Sequence, residues 1–216
     1  MIISCIGHAE FLLELENGMR IVTDPYDAAC GYPVSTLRAD VALVSHNHHD
    51  HSAVENVVGH PRIINAAGQY DLGEDVSLTA VEAFHDDVQG AKRGMTLLFN
   101  LHAEGLHVAH LGDLGHLPTR AQIEALGQVD VLMLPVGGCF TIDPGMAKQS
   151  AELLGARVLL PMHYRTRANA DWPIAPVTDF TGLFDAPAEE VNLLRVAQGD
   201  LICQPRVAVL RPQSLR

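Results

Sequence analysis

The apolar positions of this chain fall into short runs with two different rhythms. Residues 2–6, 11–15 and 20–23 predict three extended segments, with Asn17-Gly18 as the hairpin turn between the last two. The apolar run 41–45 is unbroken until Ser45, which predicts a strand covered on both faces. Residues 52–58 predict a short helix, and 63–64, 76–84 and 95–101 predict further strands, with a polar loop at 85–94. From Leu106 onward strand and helix alternate. Residues 106–111 and 129–135 predict strands, and between them 119–126 predicts a helix capped by Thr119 just after Pro118. Asp143-Pro144 opens a second helix, which runs to Leu154 and stops at Gly155. Residues 158–161 and 207–210 predict the last strands, and the proline-rich stretch 172–188 reads as irregular. Hairpin order early and strand–helix order late, with no linker or repeat between them, predict one domain over 1–216. Two sheets packed face to face with helices outside, a four-layer α/β sandwich, accommodate this order.

Composition narrows the partners. The 216 residues can bury a sizeable core, and 48% hydrophobic with 19% charged residues excludes a disordered chain. A net charge of −12 argues against nucleic acid and anionic membranes as partners, and 5% aromatic residues offer bases no stacking platform. No apolar run approaches the roughly 20 residues that span a bilayer. Met1-Ile2-Ile3-Ser4-Cys5 lacks the basic segment of a signal peptide and meets Gly7-His8 and Glu10 early. Cys5, Cys30, Cys139 and Cys203 form no CxxC or CxxH pair, which predicts buried, reduced thiols. The expectation is a cytoplasmic protein acting on a small molecule; the composition says nothing of its oligomeric state.

The chemistry concentrates at His46-Asn47-His48-His49-Asp50-His51, directly after the buried strand. Imidazole and carboxylate are the ligands borderline divalent metals prefer, and such a cluster at a strand mouth has little value for folding alone. If the segment is extended, His46, His48 and Asp50 point alternately toward one centre, and His51 reaches a neighbouring one. Other strands end similarly: Phe84 in His85, Leu111-Gly112 in Asp113, Met162 in His163. Glycines flanking Asp113 allow close approach, and its carboxylate can bind through both oxygens.

The sequence resembles the metallo-β-lactamase-fold hydrolase superfamily, whose signature is His-x-His-x-Asp-His. It looks closest to small bacterial metal-dependent hydrolases, among them ascorbate-6-phosphate lactonase-like proteins and the phosphodiesterase of N-acylethanolamine-phospholipid metabolism. Further matching stretches are Gly7-His8-Ala9-Glu10-Phe11, Thr23-Asp24-Pro25, Gly112-Asp113, Leu134-Pro135-Val136-Gly137-Gly138 and Pro161-Met162-His163-Tyr164. The resemblance implies the αββα sandwich and two divalent metals, zinc first and manganese or iron as alternatives. One metal would take His46, His48 and His85, the other Asp50, His51 and His163, with Asp113 bridging. His110 competes with His85 for its place and is set behind the ligands. A hydroxide held by the pair would attack a lactone, ester or phosphodiester, with Asp50 ligating and handling the proton.

Other polar residues carry weaker implications. His49 faces solvent or caps the turn; His8 and Asp24 support the ligands or substrate, or simply pack in turns. His60, His102, His107 and His116 read as surface residues. Lys92-Arg93 and Arg165-x-Arg167 flank His85 and His163 and suggest an anionic substrate. Two rival functions share the fold or the ligands. An iron-dependent oxidoreductase of the flavoprotein kind usually has glutamate where this chain has His48, whereas sulfur dioxygenases keep the histidine. A non-catalytic metal-binding protein would have a closed, cysteine-rich site instead.

Overall fold

The structure is a computed structural model that describes residues 1–201 and 205–216, so Cys203 lies outside the described residues. The chain begins with Ile2–Gly7 (β1), Glu10–Glu14 (β2) and Arg20–Thr23 (β3), then Leu37–Arg38 (β4), Val41–Leu43 (β5) and Val57–Val58 (β6). Arg62–Ile64 (β7), Gly68–Gly73 (β8), Val76–Phe84 (β9), Met95–Ala103 (β10) and Leu106–His110 (β11) follow. Helices then intervene: Arg120–Leu126 (α1), Val131–Pro135 (β12), Pro144–Leu154 (α2), Val158–Met162 (β13) and Val177–Thr181 (α3). Glu189–Val191 (β14), Leu194–Arg195 (β15) and Arg206–Leu210 (β16) complete the strands.

Two sheets dominate. Six strands pair in the order β15-β1-β2-β3-β5-β7, and eight in the order β14-β16-β13-β12-β11-β10-β9-β8. Alternation of side chains builds the layers. Phe11, Leu13, Ile21, Val41 and Leu43 point inward onto Leu78, Phe99, Leu101, Val131 and Leu160 of the second sheet. Their strand neighbours Leu12, Val22 and Ala42 point outward. The outer face of the second sheet is covered by the helices, through Leu126, Ala147, Ala151, Leu154 and Phe180. The outer face of the first sheet is covered by 3₁₀ turns and loops that bring Tyr26, Cys30 and Tyr32 over Ile6 and Leu12. The four layers are therefore unequal: among the described residues, α-helices cover the second sheet, and 3₁₀ turns and loops cover the first.

The helix signals act locally as their residues suggest. Thr119 and Gln122 form a reciprocal capping box on α1. Asp143 accepts the Met146 N–H at 2.8 Å, Pro144 occupies the first turn, and Gly155 closes α2 in a left-handed conformation.

Some expectations require correction. Residues 52–58 do not form a helix: Val54–Asn56 is a 3₁₀ turn that passes into β6. Three of those seven positions are valine, whose branched side chain fits extended backbone better, and the Ser52 hydroxyl is engaged by the His48 carbonyl. The edge strand β8, with its two glycines and an aspartate, lacks a strand-like composition and is held by pairing to β9. The stretch 172–188 contains α3. Cys5 and Cys30 are buried free thiols, but Cys139 is exposed, on a loop where it adopts φ +60°.

Candidate metal centre

The candidate residues leave the carboxyl ends of strands that run in one direction. In the first sheet β1 and β3 both run antiparallel to β2, and β5 is parallel to β3. In the second, β9 and β11 both run antiparallel to β10, and β12 and β13 continue parallel to β11. His8 follows β1, Asp24 follows β3, and the segment from His46 to His51 follows β5. His85 follows β9, Asp113 follows β11 and His163 follows β13. One edge of the sandwich thus collects side chains from six strand ends. The Leu97 N–H donates to the Ser45 carbonyl at 2.9 Å and ties the two sheets together at this edge.

Backbone conformation aims several of these groups. His8, Asp24 and His163 have φ of +52°, +40° and +52°, left-handed values that non-glycine residues seldom adopt. Gly112, at φ +48°, packs so tightly that a Cβ there would lie 2.5 Å from Thr96 Oγ1 and 2.7 Å from the Leu97 carbonyl. The Asp113 carboxylate is thereby brought to the centre.

Asp113 Oδ2 lies 3.3 Å from Nε2 of each of His51, His85 and His163, and 3.9 Å from Nε2 of His46. His46 Nε2 and His48 Nδ1 are 2.9 Å apart, and Asp50 Oδ2 is 3.6 Å from His51 Nε2. All seven residues named as candidate ligands converge here. Their donor atoms form three groups, each within 4.8 Å: His46, His48 and His85; His46, His51 and Asp113; and Asp50, His51 and His163 together with His8.

Behind them stands a supporting layer. Asp24 accepts the Ser45 N–H and hydroxyl, each at 2.7 Å, and lies 2.8 Å from His51 Nδ1, which fixes the ring with Nε2 facing Asp113. The Ser45 hydroxyl also contacts His46 Nδ1 at 2.9 Å. His110 is occupied on both nitrogens: Nε2–H donates to the Ala9 carbonyl at 3.0 Å and Nδ1 accepts the Gly112 N–H at 3.1 Å. His85, with Nε2 at Asp113, faces the centre instead.

Burial and charge set the protonation states. Burial pushes His8 down to about 4, helped by His163, and takes His46 down to about 3, helped by His51. Burial also lowers His85. Burial alone would raise the Asp50 and Asp113 carboxyls, but neighbouring histidines outweigh it and hold both below the usual range. For His51, burial opposes the charge, yet Asp113 and Asp24 raise its pKa well above the ordinary value.

The remaining residues separate. His49 is exposed, with Nδ1 3.0 Å from Asp27 Oδ1. Exposed His60 and His102 lie at the surface as expected, and His107 is half-buried. His116 is half-buried as well, and its Nε2 accepts the Phe84 N–H at 3.2 Å immediately before His85. Asp86, which the sequence did not single out, is buried and accepts four backbone N–H groups, from Val88, Gly90, Lys92 and Arg93. Phe140 and Trp172 were also missed, and both line the cavity above the centre. The Asp86-to-Gly90 spacing carried a turn signal; the two aromatics, on separate irregular loops, carried none.

The donor set fits divalent metal ions. Among the described residues, His51 Nε2, Asp113 Oδ1 and His8 Nδ1 are buried without a hydrogen-bond partner. Such atoms are costly in a protein interior, and a cation among them supplies the missing partner. Imidazoles with carboxylates, and no thiolate, are a zinc-type or related donor set.

Residues 2–163 match a family described as a beta-lactamase superfamily domain. A UPF0173 metal-dependent hydrolase of Geobacillus sp. (strain WCH70) is 32% identical, over 74% of this chain and 84% of its own. Another from Carboxydothermus hydrogenoformans is 31% identical, over 81% and 87%. The crystal structure of a candidate zinc-dependent hydrolase of the metallo-β-lactamase superfamily from Thermotoga maritima superposes with a TM-score of 0.81. It is 41% identical, with 97% of each chain covered.

Proposed function

The chain belongs to the beta-lactamase superfamily and is a metal-dependent hydrolase, and on that premise we propose that it cleaves a lactone, ester or phosphodiester bond of a small anionic substrate at a dinuclear centre. His46, His48 and His85 would hold one divalent ion, and Asp50, His51 and His163 the other, with Asp113 bridging. Zinc suits these donors first, with manganese or iron as alternatives. The observation that supports this most directly is the placing of four imidazole nitrogens within 3.9 Å of one Asp113 oxygen, beneath an open cavity. When bound, two such ions supply an activated water at neutral pH and stabilise the oxygen that gains charge.

The chain's own residues have separable tasks. Asp50, ionised at neutral pH, takes the proton from the attacking water, and His8 Nε2 sits 3.2 Å from its Oδ2 to hold it in place. Asp24 keeps the His51 ring in one orientation, and Ser45 steadies both Asp24 and His46. We place this activity in a single domain over 1–216, working in the cytoplasm on a small molecule rather than on nucleic acid or a membrane. Among the described residues, no helix is long and apolar enough to cross a membrane.

Metal analysis of the purified protein, followed by a panel of lactones and phosphodiesters with Zn²⁺ and Mn²⁺, tests the proposal. Asp50→Ala, with fold and metal content verified, should lose about 10²–10⁴-fold in kcat on any hit. Full activity in that variant rejects the proton-handling role. A single ion per chain rejects the bridging role of Asp113.

A further inference from the structure

The cavity above the metal centre has a volume of about 370 Å³, the size of a small-molecule site. Its floor is formed by His48, Asp50, His85, Asp113 and His163, and its walls include Arg93, Phe140, Asp171 and Trp172. The four cations that flank the ligands in sequence do not share one environment. Lys92 is exposed and pairs with Asp87 at 3.2 Å, and Arg167 donates to the Leu215 carbonyl. Arg165 is exposed and outside the cavity lining. Arg93 alone of the four lines the cavity.

Arg93 is both fixed and unspent. Asp86 accepts the Val88 and Gly90 N–H groups on Oδ1, at 2.9 and 2.7 Å, and the Lys92 and Arg93 N–H groups on Oδ2, both at 2.8 Å. The residue next to a candidate ligand therefore also locks the backbone that carries Arg93. Its guanidinium lies 5.4 Å from the Phe140 ring centroid. Among the described residues that guanidinium has neither ion pair nor hydrogen bond. The contact with Phe140 is a cation–π one and takes up none of the guanidinium N–H groups, whose fork matches a carboxylate through two parallel hydrogen bonds. Trp172 stands edge-on to Phe140, centroids 6.2 Å apart at 87°, so two aromatic rings wall the same cavity.

We propose that Arg93, Phe140 and Trp172 form a recognition subsite for a carboxylate borne on a flat apolar group, which makes the substrate an aryl-type carboxylic acid with its scissile bond over the metal centre. The scissile bond rests on the hydrolase proposal; the subsite itself does not. At the subsite itself the Arg93 guanidinium shares the wall with the Asp171 carboxylate, a local balance that suits a monoanion better than a phosphate dianion.

Trp172 is the only tryptophan of the chain, so intrinsic fluorescence reports occupancy without turnover. The metal-loaded protein is titrated with benzoate, with its uncharged counterpart benzamide and with phenyl phosphate. Benzoate should give a saturable change, benzamide should bind about tenfold more weakly, and phenyl phosphate no more tightly than benzoate. Arg93→Gln should weaken benzoate by about tenfold, and Arg93→Lys, which keeps the charge but loses the fork, by an intermediate factor. Lys92→Gln and Arg165→Gln should leave it unchanged. The subsite is rejected if benzamide matches benzoate, if phenyl phosphate binds more tightly, if no saturable change occurs, or if Arg93→Gln and Arg93→Lys retain full benzoate affinity, as carboxylate capture by the metals alone would give. Failure of the hydrolase proposal looks different: no ester, lactone or phosphodiester is turned over, while benzoate still binds in an Arg93-dependent way.

Discussion

The Asp24 carboxylate is fully buried and serves Ser45 N–H, the Ser45 hydroxyl and His51 Nδ1 together. Burial would raise its pKa, but His51 first, then His110 and His46, hold it below the usual value. Asp24→Asn keeps the shape and removes the charge that orients His51; metal affinity, measured by competition with a chromogenic chelator, should fall about 10–100-fold. Unchanged affinity would show that the ring is held by packing alone. Glu10 is the opposite case. Burial foremost, and Asp24 with it, push this carboxyl up to about 8, against one hydrogen bond from the Tyr26 backbone. The folded protein therefore keeps a proton that the unfolded chain releases above about pH 4.5, and stability falls as pH rises from there toward 8. Glu10→Gln removes that penalty, worth about 3 kcal/mol at pH 7, and should stabilise the protein at neutral pH far more than at pH 4. Denaturant melts at the two pH values check this; an equal difference at both would mean that Glu10 titrates normally. Asp24 was visible in the sequence because Thr23-Asp24-Pro25 matches the family resemblance, whereas Asp86 showed only a turn signal, since its role exists only once four N–H groups of a closed loop point inward.

Strand ends do the positioning, and they do it with unusual backbone. Where a short apolar run met a turn signal, as in β2 and β3 around Asn17-Gly18, or a cap was explicit, as at Thr119 and Asp143, the element was legible from the chain. Edge strand β8 was not, because pairing to β9, rather than local composition, decides its form, and the turn at Val54–Asn56 was not, because its valines and the Ser52–His48 contact favour extended backbone over a helix. The left-handed exits at His8, Asp24 and His163 were equally hidden, since histidine and aspartate, though more tolerant of positive φ than most residues, far more often adopt ordinary backbone angles. Gly112, after β11, is the exit that can be tested cleanly. Gly112→Ala forces a Cβ into Thr96 Oγ1, the Leu97 carbonyl and Ser45 Cβ at 2.5–2.8 Å, on backbone that alanine disfavours. Stability should drop by about 1–3 kcal/mol, and bound metal should fall with it, because Asp113 is displaced. Calorimetry with metal analysis on the same sample checks the pairing of the two effects. A destabilised variant with full metal content would separate the packing of Gly112 from the placing of Asp113.

The whole molecule is two sheets whose ligand-bearing edges meet at one centre. His46, His48, Asp50 and His51 come from the first sheet, and His85, Asp113 and His163 from the second. The six-residue cluster made half of this legible, since its ligands are local; His85, Asp113 and His163 were named as strand-end residues and assigned by the resemblance, since no spacing in the chain encodes which strand ends the topology brings to one edge. Metal bound across the centre as proposed would consequently be a cross-link between sheets as well as a catalytic group. A ligand at a thousandfold excess over its Kd stabilises the folded state by about 4 kcal/mol, which for a chain of this size is about 8–16 °C in Tm. Chelation should lower Tm by that order, and added Zn²⁺ should restore it. Asp113→Ala should remove most of the metal-dependent increment, because the contact shared by both sheets is gone, while His49→Ala, exposed and outside the converging donors, should keep it. If Tm stays constant after verified metal removal, the apolar layer between the sheets holds the edge closed by itself. The centre would then be preformed, and metal would act in the chemistry without bracing the fold.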